Sequence, residues 1–477
     1  MFAGLSRREY TLLVIILLAA CAIVSFIYDR YAVRGKWSAV RSRIPGMSLY
    51  LYLNAAILHF FYITYTRTFE RQHDVIGFRN EKGIGQAALI EYLMENGRLP
   101  DFDPTKRWGF FQPLLHHITA AVLLKINLIR GMNYDRACET IQILTFIYSM
   151  IFILYGFRIL RLMDLKGKGL HIAEALIAFH PLLTLLSGSV NNDMMSHMFL
   201  IMAVYYGLKW YKTDSITDLC LTALVTGLSM MAKLSGILVS PAIAFLMVNK
   251  LYTCIKEKGN ILNRFIQYII FGVIVFPLGL FFPLRNLILF NVPVTYMPDV
   301  GEELTGYSIL SRIFDIRTDT PFACMVKNGD PYDEYNVFLG LIKTSLTGEY
   351  DLAAVNGKIT IFAWILFISG VVLFIVDMIL FIRIFSGNDI IKSVPIRVFW
   401  VILILTGVLF MLRLVFTVPN FSSQDSRYIA WIIVPAALLP GLYATYKPEG
   451  KEEMLLIACT AVFCISSAAV YYILGMP

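Results

Sequence analysis

Charged residues are scarce in this chain, and this scarcity excludes most soluble architectures. Only 16% of the 477 residues are Asp, Glu, Lys or Arg, while 58% are hydrophobic, whereas a soluble domain carries about 25% charged residues. The mean hydropathy of +0.67 points the same way. We therefore predict an all-α polytopic membrane protein, with residues 1–477 forming a single integral membrane domain.

Cysteine frameworks and familiar metal-ligand spacings are also lacking. The seven cysteines are scattered without a C-x-x-C pair, and no H-x-x-x-H spacing is present. His116 and His117 are adjacent, so on a helix their side chains point about 100° apart and do not easily share one ion. No cofactor is implied with certainty, and the need for a divalent cation stays open.

The excess of basic residues does not indicate nucleic-acid binding. The formal net charge is +8, but the basic residues lie in short loops between apolar runs. That distribution is typical of the cytoplasmic loops of membrane proteins. No nucleic-acid partner is expected.

Long apolar runs are what the chain does contain. A helix of about 20 apolar residues crosses the ~30 Å of hydrocarbon in a bilayer. The first run lacks a small-residue cleavage site, so we interpret it as a retained helix. The runs predict about twelve transmembrane helices, near 10–28, 47–66, 138–160, 170–188, 194–210, 217–232, 235–252, 264–283, 358–382, 398–416, 429–446 and 454–474.

Loop charge predicts the orientation. Residues 29–46 contain five basic residues against one acid, which indicates a cytoplasmic loop. Two long polar loops then lie outside: a first outer loop, 67–135, and a second, 287–357, which carries ten acids against four bases. The chain is thus expected in the plasma (inner) membrane, with these loops on the outer or periplasmic side.

The first outer loop is predicted to hold two helices at the outer interface. Apolar residues from Gln86 to Met94 repeat at helical spacing, and "NGRLPDFDP" supplies a stop and a turn. The following stretch, "FQPLLHHITAAVLLKI", is short for a span and is bracketed by aromatic residues. We expect it to lie on the membrane surface.

Ionisable residues gather at the predicted outer boundary of the membrane. Placing such residues near the bilayer costs free energy, which suggests that they have a function. Five of the seven histidines are among them. Taken singly, each is more often an interface anchor or a packing residue than a functional one. The set is His73, Asp74, His116, His117, His180, Asp193, His197, Lys233, Arg285 and Arg427.

Asp74 is the candidate general base in this set. It follows a predicted helix end on the outer face, where a carboxylate within hydrogen-bond reach takes the proton of an incoming hydroxyl. The alternative is a salt bridge to Arg71 or Arg79. Asp193, in "SGSVNNDMMSH", stands beside Asn192 in a polar break that is richer than a turn requires, although a simple turn with an Asn cap is the alternative.

Lys233 is flanked by apolar residues in "GLSMMAKLSGIL", so it needs an anionic partner or an exit to the interface. Snorkelling is the simple alternative. Arg285 in "FFPLRN" and Arg427 in "SSQDSRY" occupy similar outer helix ends. Together the three cations are predicted to form a site for a lipid phosphate, since arginine binds phosphate bidentately.

The order of these motifs resembles the GT-C glycosyltransferases, in particular bacterial relatives of protein O-mannosyltransferases and of lipid A aminoarabinose transferases. The similarity is carried by an early acid in the first outer loop, "NG.LP", "FQPLLHH", "FHPLLTLLSGSVNNDMMS", "GLSMMAKLSGIL", "FPLRNLILFNVPVTYMP" and "DSRYI". It implies a GT-C fold and an inverting transfer of a hexosyl or pentosyl group from a polyprenyl (undecaprenyl or dolichyl) phosphate sugar.

The resemblance also implies roles for individual residues. Asp74 corresponds to the general base, Asp193 to a second acid, and Lys233 and Arg427 to ligands of the donor phosphate. Two departures stand out: His73 and Val75 flank Asp74 where many relatives have Asp-Glu, and Gln112 replaces the lysine of aminoarabinose transferases. His73, His116, His117, Gln112 and Asn192 are therefore further candidates for substrate or metal contacts.

Two other functions remain open at this point. A membrane transporter or lipid flippase collects its polar residues near the midplane, often around internal repeats, and no clear repeat is present here. An O-antigen-type ligase would share the lipid-linked donor. The expected acceptor is a glycan, lipid or protein, and its recognition is assigned to the second outer loop.

Overall fold

The structure is a computed structural model that describes residues 5–33, 45–73, 76–298, 301, 304–316, 334–352, 357–387, 390–447 and 450–476. All regular secondary structure in those ranges is helical. The predicted all-α class is therefore confirmed. Asp74 and Val75, together with much of the second outer loop, lie outside the described residues.

Long helices connected by short turns make up most of the described chain. The N-terminal half comprises α1 (Arg7–Tyr28), α2 (Gly46–Tyr65), α3 (Gly85–Asn96), α4 (Leu115–Ile129), α5 (Tyr134–Glu139), α6 (Gln142–Leu162), α7 (Gly167–Ala178), α8 (Pro181–Ser187) and α9 (Asp193–Thr213). The C-terminal half comprises α10 (Ile216–Ala232), α11 (Ser240–Lys256), α12 (Ile261–Phe290), α13 (Ile309–Phe314), α14 (Val337–Leu346), α15 (Gly357–Ser386), α16 (Val394–Thr417), α17 (Ile433–Tyr446) and α18 (Lys451–Leu474).

Every predicted apolar run coincides with a helix of this set. Within the described residues, nine helices are long and apolar enough to cross a membrane, and the bent pair α7–α8 makes ten if it counts as one span. The predicted runs at α9 and α10 correspond to helices that fall short of that criterion. A multi-pass membrane protein is thus confirmed, whereas the count of twelve spans stays a prediction.

The two helices predicted in the first outer loop are present as α3 and α4. α3 ends at Asn96 and is capped by Gly97, whose positive φ of 62° gives the left-handed conformation that glycine accommodates best. α4 begins at Leu115, two residues after Pro113. Their position at the outer membrane interface stays a prediction.

The centre of the bundle is formed by the most buried helices. α6, α9 and α17 are packed on most sides, whereas α1, α12 and α15 expose most of their apolar residues. α9 packs along both α6 and α10. Exposed apolar surface of this kind in a membrane protein faces lipid.

The polar turns meet at one end of the bundle. Thr66, after α2, contacts Gln142 at the start of α6 (Oγ1 to Oε1, 3.3 Å). At the same end Tyr471, near the end of α18, donates to the Leu346 carbonyl of α14 (2.7 Å). Helix ends that were predicted to lie on the outer side are therefore brought together, and their orientation in the membrane stays a prediction.

Candidate functional site

Asp193 and Lys233 form a buried ion pair at this end of the bundle. Asp193 is the first residue of α9, where the helix dipole favours a carboxylate, and one of its oxygens accepts a hydrogen bond from the Lys233 ammonium. Only 3% of the Asp193 side chain is exposed, against 16% of Lys233. The lysine is therefore the partner that a ligand reaches more easily.

The local sequence explains why these two residues meet. Ser196 of α9 and Ser229 of α10 exchange hydrogen bonds with each other's carbonyl oxygens (3.1 and 2.8 Å), so the two helix ends approach closely. α10 stops at Ala232, and Lys233 adopts an extended backbone (φ −153°) before a 3-10 turn, Leu234–Val239. The gap between the predicted runs 217–232 and 235–252 is thus a break at Lys233 that turns its side chain towards α9.

Arg427 brings a second cation to the same carboxylate. Its Nε lies 4.0 Å from Asp193 Oδ2 and 3.3 Å from Asp425 Oδ2. The backbone is fixed as well, since His197 Nε2 donates to the Arg427 carbonyl (2.6 Å) and Asp425 Oδ1 accepts from the Arg427 amide (2.9 Å). Two of the three cations predicted to share one site, Lys233 and Arg427, therefore lie beside Asp193.

Tyr428 lies beside both cations. Lys233 Nζ is 4.7 Å from the centroid of the Tyr428 ring, and the Arg427 guanidinium carbon is 5.2 Å from it. Arg427 also donates to the Tyr428 hydroxyl (3.3 Å). An aromatic face stabilises a nearby cation by about 0.5–2 kcal/mol, depending on how dry the site is.

Further polar side chains surround Asp193. Asn192 Nδ2 donates to the Ala232 carbonyl (2.7 Å) and approaches Gln112 Oε1 at 3.4 Å, which joins the first outer loop to this turn. Buried Asn192 Oδ1, Asn191 Nδ2 and His197 Nδ1 make no hydrogen bond within the described protein. Such atoms are usually met by ordered water or by a bound molecule.

His73 anchors the start of the first outer loop rather than facing Lys233. Its Nδ1 donates to the Arg67 carbonyl (2.7 Å) and its Nε2 contacts the Tyr62 hydroxyl (3.1 Å), which in turn lies 3.2 Å from the Tyr350 hydroxyl. Burial lowers the pKa of His73 to about 4. A β-carbon added at Gly188 would lie 2.8 Å from His73 Nε2, so this packing requires glycine.

His116 and His117 fold the first outer loop onto the bundle. His116 Nε2 donates to the Val190 carbonyl (2.7 Å), whereas His117 bonds the Gln86 side chain and, through Nδ1, approaches the Pro113 carbonyl at 3.2 Å. Burial lowers the pKa of His116 to about 4 and that of His117 to about 3. The adjacent imidazoles serve different partners, as their helical spacing implies.

Arg285 stands apart from the Asp193 group. Its guanidinium donates to the Pro100 carbonyl and to Asn286 (3.2 Å), and it lies 5.5 Å from the centre of the Phe290 ring. These contacts join α12 to the turn that follows α3. Within the described residues, Lys233 and Arg427 are thus the predicted cations that converge on Asp193.

Asp74, the predicted base, lies outside the described residues. The adjacent Gln72 and His73 are described, and Gln72 accepts a hydrogen bond from the Glu349 amide of the second outer loop. In the described part of the chain, no three His, Cys, Asp or Glu side chains are grouped so as to hold a metal ion. The roles of Asp74 and of a metal stay predictions.

Comparison with known proteins tests the resemblance. Residues 128–277, less than half of the chain, match the sequence model of the family described as dolichyl-phosphate-mannose-protein mannosyltransferase. The predicted resemblance is confirmed over that segment. It contains Asn192, Asp193 and Lys233. A comparison with curated proteins gives no match.

Two solved structures are similar to the chain. One is the crystal structure of ArnT from Cupriavidus metallidurans bound to undecaprenyl phosphate, 11% identical, covering 89% of this chain and 76% of that chain with a TM-score of 0.47. The other is ArnT from Cupriavidus metallidurans in the apo state, 12% identical, covering 83% of this chain and 76% of that chain with a TM-score of 0.38.

Asp425 and Tyr428 are site residues whose roles the sequence did not reveal. Both lie inside "DSRYI", a motif in which only Arg427 was predicted to be a site residue. The sequence offers two signals for these residues: an acid two residues before the arginine, and an aromatic residue directly after it. Their significance depends on a backbone turn that places Tyr428 beside Lys233 and Arg427 beside Asp193 and Asp425, which spacing alone does not define.

Proposed function

We propose that this chain is a membrane glycosyltransferase that moves a sugar from a polyprenyl-phosphate-linked donor to an acceptor on the outer face of the membrane. The observation that carries the proposal is the convergence of Lys233 and Arg427 on Asp193 beside Tyr428. The match to a mannosyltransferase family over the segment that contains Asp193 and Lys233 supports it.

Lys233 is the expected first contact of the donor phosphate. An ammonium has three donors, and one of them is engaged by Asp193. The remaining donors suit a phosphodiester oxygen. Arg427, with 10% of its side chain exposed, supports the same anion from the other side of Asp193.

The charge balance of the reaction explains why cations are needed. The acceptor oxygen attacks the anomeric carbon from the face opposite to the phosphate, and the bond between that carbon and the phosphate oxygen breaks. A phosphodiester with one negative charge becomes a polyprenyl phosphate with up to two. Lys233 and Arg427 stabilise the additional charge as it develops.

Asp74 is assigned to remove the acceptor's proton. Asp193 suits a different role, because its ion pair with Lys233 favours the charged carboxylate and its burial leaves little room for an acceptor hydroxyl. We therefore assign Asp193 to holding Lys233 and Arg427 in place. Asn192 and Gln112 are assigned to the same polar wall.

An outward-facing site is supported by loop charge. The basic loop 29–46 belongs at the opposite end of α2 from Thr66, which lies at the same end as the candidate site. A lipid-linked donor reaches such a site sideways from the bilayer. A transporter would instead be expected to bind its substrate near the midplane.

Mass analysis of envelope glycans and glycoproteins, with and without the gene, tests the proposal. A glycosyltransferase predicts the loss of one sugar from one class of acceptor and its recovery with the intact gene. Recovery by the Lys233→Ala variant at wild-type level would contradict the proposed site. Unchanged glycans together with altered movement of a solute or lipid would favour the transporter alternative.

A further inference from the structure

A segment of the second outer loop contacts both sides of the candidate site. This α14 segment, residues 334–352, packs against the turn that carries Asp425 and Arg427 and also against the start of the first outer loop. Its contacts lie outside the stretch that matches the mannosyltransferase family. None of its residues was a candidate in the sequence.

Thr344 makes the central contact. Its hydroxyl oxygen accepts a hydrogen bond from the Ser426 amide (3.0 Å), lies 3.1 Å from the Ser426 hydroxyl and approaches the Gln424 carbonyl at 3.3 Å. Thr344 and Ser426 are both buried. One hydroxyl thus holds the backbone directly before Arg427.

A buried ion pair holds the α14 segment in shape. Lys343 and Glu334 are fully buried and paired with each other. The same Glu334 accepts from the Asn336 amide (3.0 Å) through its side chain and from the Gln424 side chain (2.8 Å) through its carbonyl. Removing one partner of such a buried pair strongly destabilises the folded protein. The pair therefore fixes α14 relative to Gln424.

The other end of the segment reaches the residues next to Asp74. The Glu349 amide donates to Gln72, and the Tyr350 hydroxyl donates to Glu70 (2.8 Å) and lies 3.2 Å from the Tyr62 hydroxyl. The covalent connection from Thr344 to Tyr350 is only six residues long. The segment therefore spans from the Arg427 turn to the loop that carries the proposed base.

We propose that the α14 segment is the positioning element of the active site, and that Thr344 is the residue that sets the Arg427 turn against Asp193 and Lys233. This inference rests on the proposed function for the identity of the ligand. Thr344 acts through Ser426 and Gln424 and does not itself touch the donor. The second outer loop, assigned above to acceptor recognition, thereby also controls donor binding.

Thr344→Val is the matching test, because valine keeps the shape and removes the hydroxyl. Two readouts apply to the full-length protein in phosphatidylcholine nanodiscs: hydrogen–deuterium exchange of peptides covering 421–432, and affinity for undecaprenyl phosphate. We expect faster exchange at the Ser426 amide and an affinity about five- to tenfold weaker, the range for losing one buried hydrogen bond. Thr344→Ser should restore both.

Thr347→Val is the control on the same helix. The Thr347 hydroxyl is buried and, among the described residues, donates only to the Lys343 carbonyl one turn earlier (3.0 Å). The Thr347→Val variant should leave both the hydrogen–deuterium exchange of residues 421–432 and the donor affinity at the wild-type level. If Thr344→Val does not fold, Thr344→Ala, which also removes the hydroxyl that accepts from the Ser426 amide, decides between the same results.

Failure of this inference is distinguishable from failure of the proposed function. If Lys233→Ala weakens undecaprenyl phosphate binding but Thr344→Val changes neither readout, the positioning role is wrong and the donor site stands. If Lys233→Ala leaves that affinity unchanged, the proposed function is contradicted. Unchanged exchange at Ser426 in Thr344→Val overturns the positioning role whatever the ligand is.

Discussion

Asp193 lies between Lys233 and Arg427: it accepts a hydrogen bond from the Lys233 ammonium, and its other oxygen is 4.0 Å from Arg427 Nε. Asp425, 3.3 Å from the same Nε, completes an alternating row of two acids and two bases. The row is close to neutral without a ligand. An incoming phosphate therefore meets cations whose side chains are already oriented. Binding then requires little reorganisation of the site.

Asp193→Asn is expected to lower kcat/KM and thermal stability without changing the shape of the pH–rate profile. The substitution leaves Lys233 without its buried counter-ion, a loss of about 3–5 kcal/mol for a pair of this kind. A positioning residue does not set the ionisation that limits the rate. Loss of the acidic limb of the profile in Asp193→Asn would instead identify Asp193 as a base.

The double variant Asp193→Asn/Lys233→Met separates stability from function. Replacing both charges removes the unpaired ammonium, so the thermal midpoint should recover much of what Asp193→Asn loses. Donor affinity should not recover, because the phosphate contact is gone. Recovery of undecaprenyl phosphate binding in the double variant would contradict the assignment of Lys233.

Lys233→Ala and Arg285→Ala form an informative pair, because both cations were predicted to bind the donor phosphate. Lys233→Ala should weaken donor binding by about 1–3 kcal/mol, as loss of a charge-assisted contact does. Arg285 is engaged with Pro100 and Asn286, so Arg285→Ala should leave the affinity within about twofold, far below one such contact. The check is titration of undecaprenyl phosphate. Equal losses would place Arg285 at the phosphate after all, and no loss in Lys233→Ala would contradict the assignment of Lys233 to the donor phosphate.

Lys233 and Arg285 illustrate which features of the site can be predicted from the sequence and which cannot. Hydropathy predicted the long apolar helices, and the cost of charge near a bilayer identified both residues as candidates. Which cation meets the carboxylate depends on the Ser196–Ser229 contact and on the break at Lys233, two features of packing rather than of composition. Similarly, Thr344 lies in α14, a short helix that was not predicted within the second outer loop, and its role follows only from its contact with Ser426.

Acidification should destabilise the first outer loop. His73 and His116 have pKa values of about 4 in the folded protein against 6.5 ordinarily, so the unfolded state binds more protons between those values. Stability is fully present above pH 6.5 and falls towards pH 4, by about 1–2 kcal/mol per histidine near pH 5. Thermal midpoints across that range provide the measurement.

His116→Gln is the matched variant for this effect. Its amide can still donate to the Val190 carbonyl, but it does not titrate. The variant should therefore show a flatter dependence of the thermal midpoint on pH than the wild type. His171, which is part-exposed and contacts Glu174 (3.2 Å), offers a control position outside the first outer loop. A wild-type pH dependence in His116→Gln would show that other groups are responsible.

Asp74→Asn should abolish transfer while donor binding survives. A general base contributes about 10²- to 10⁴-fold to the rate, and asparagine keeps the size of the side chain but cannot take a proton. Asp101→Asn is a suitable control, because Asp101 lies in the same loop, is exposed and, within the described part of the chain, pairs only with Arg98 at 3.2 Å and with the Tyr92 hydroxyl. The measurements are single-turnover sugar transfer and undecaprenyl phosphate affinity for each variant. Wild-type transfer by Asp74→Asn would rule out Asp74 as the base, whereas loss of both transfer and binding would assign it to the donor site. Loss of transfer alone, with Asp101→Asn active, is the expected result, because the proton and the phosphate are handled by different groups.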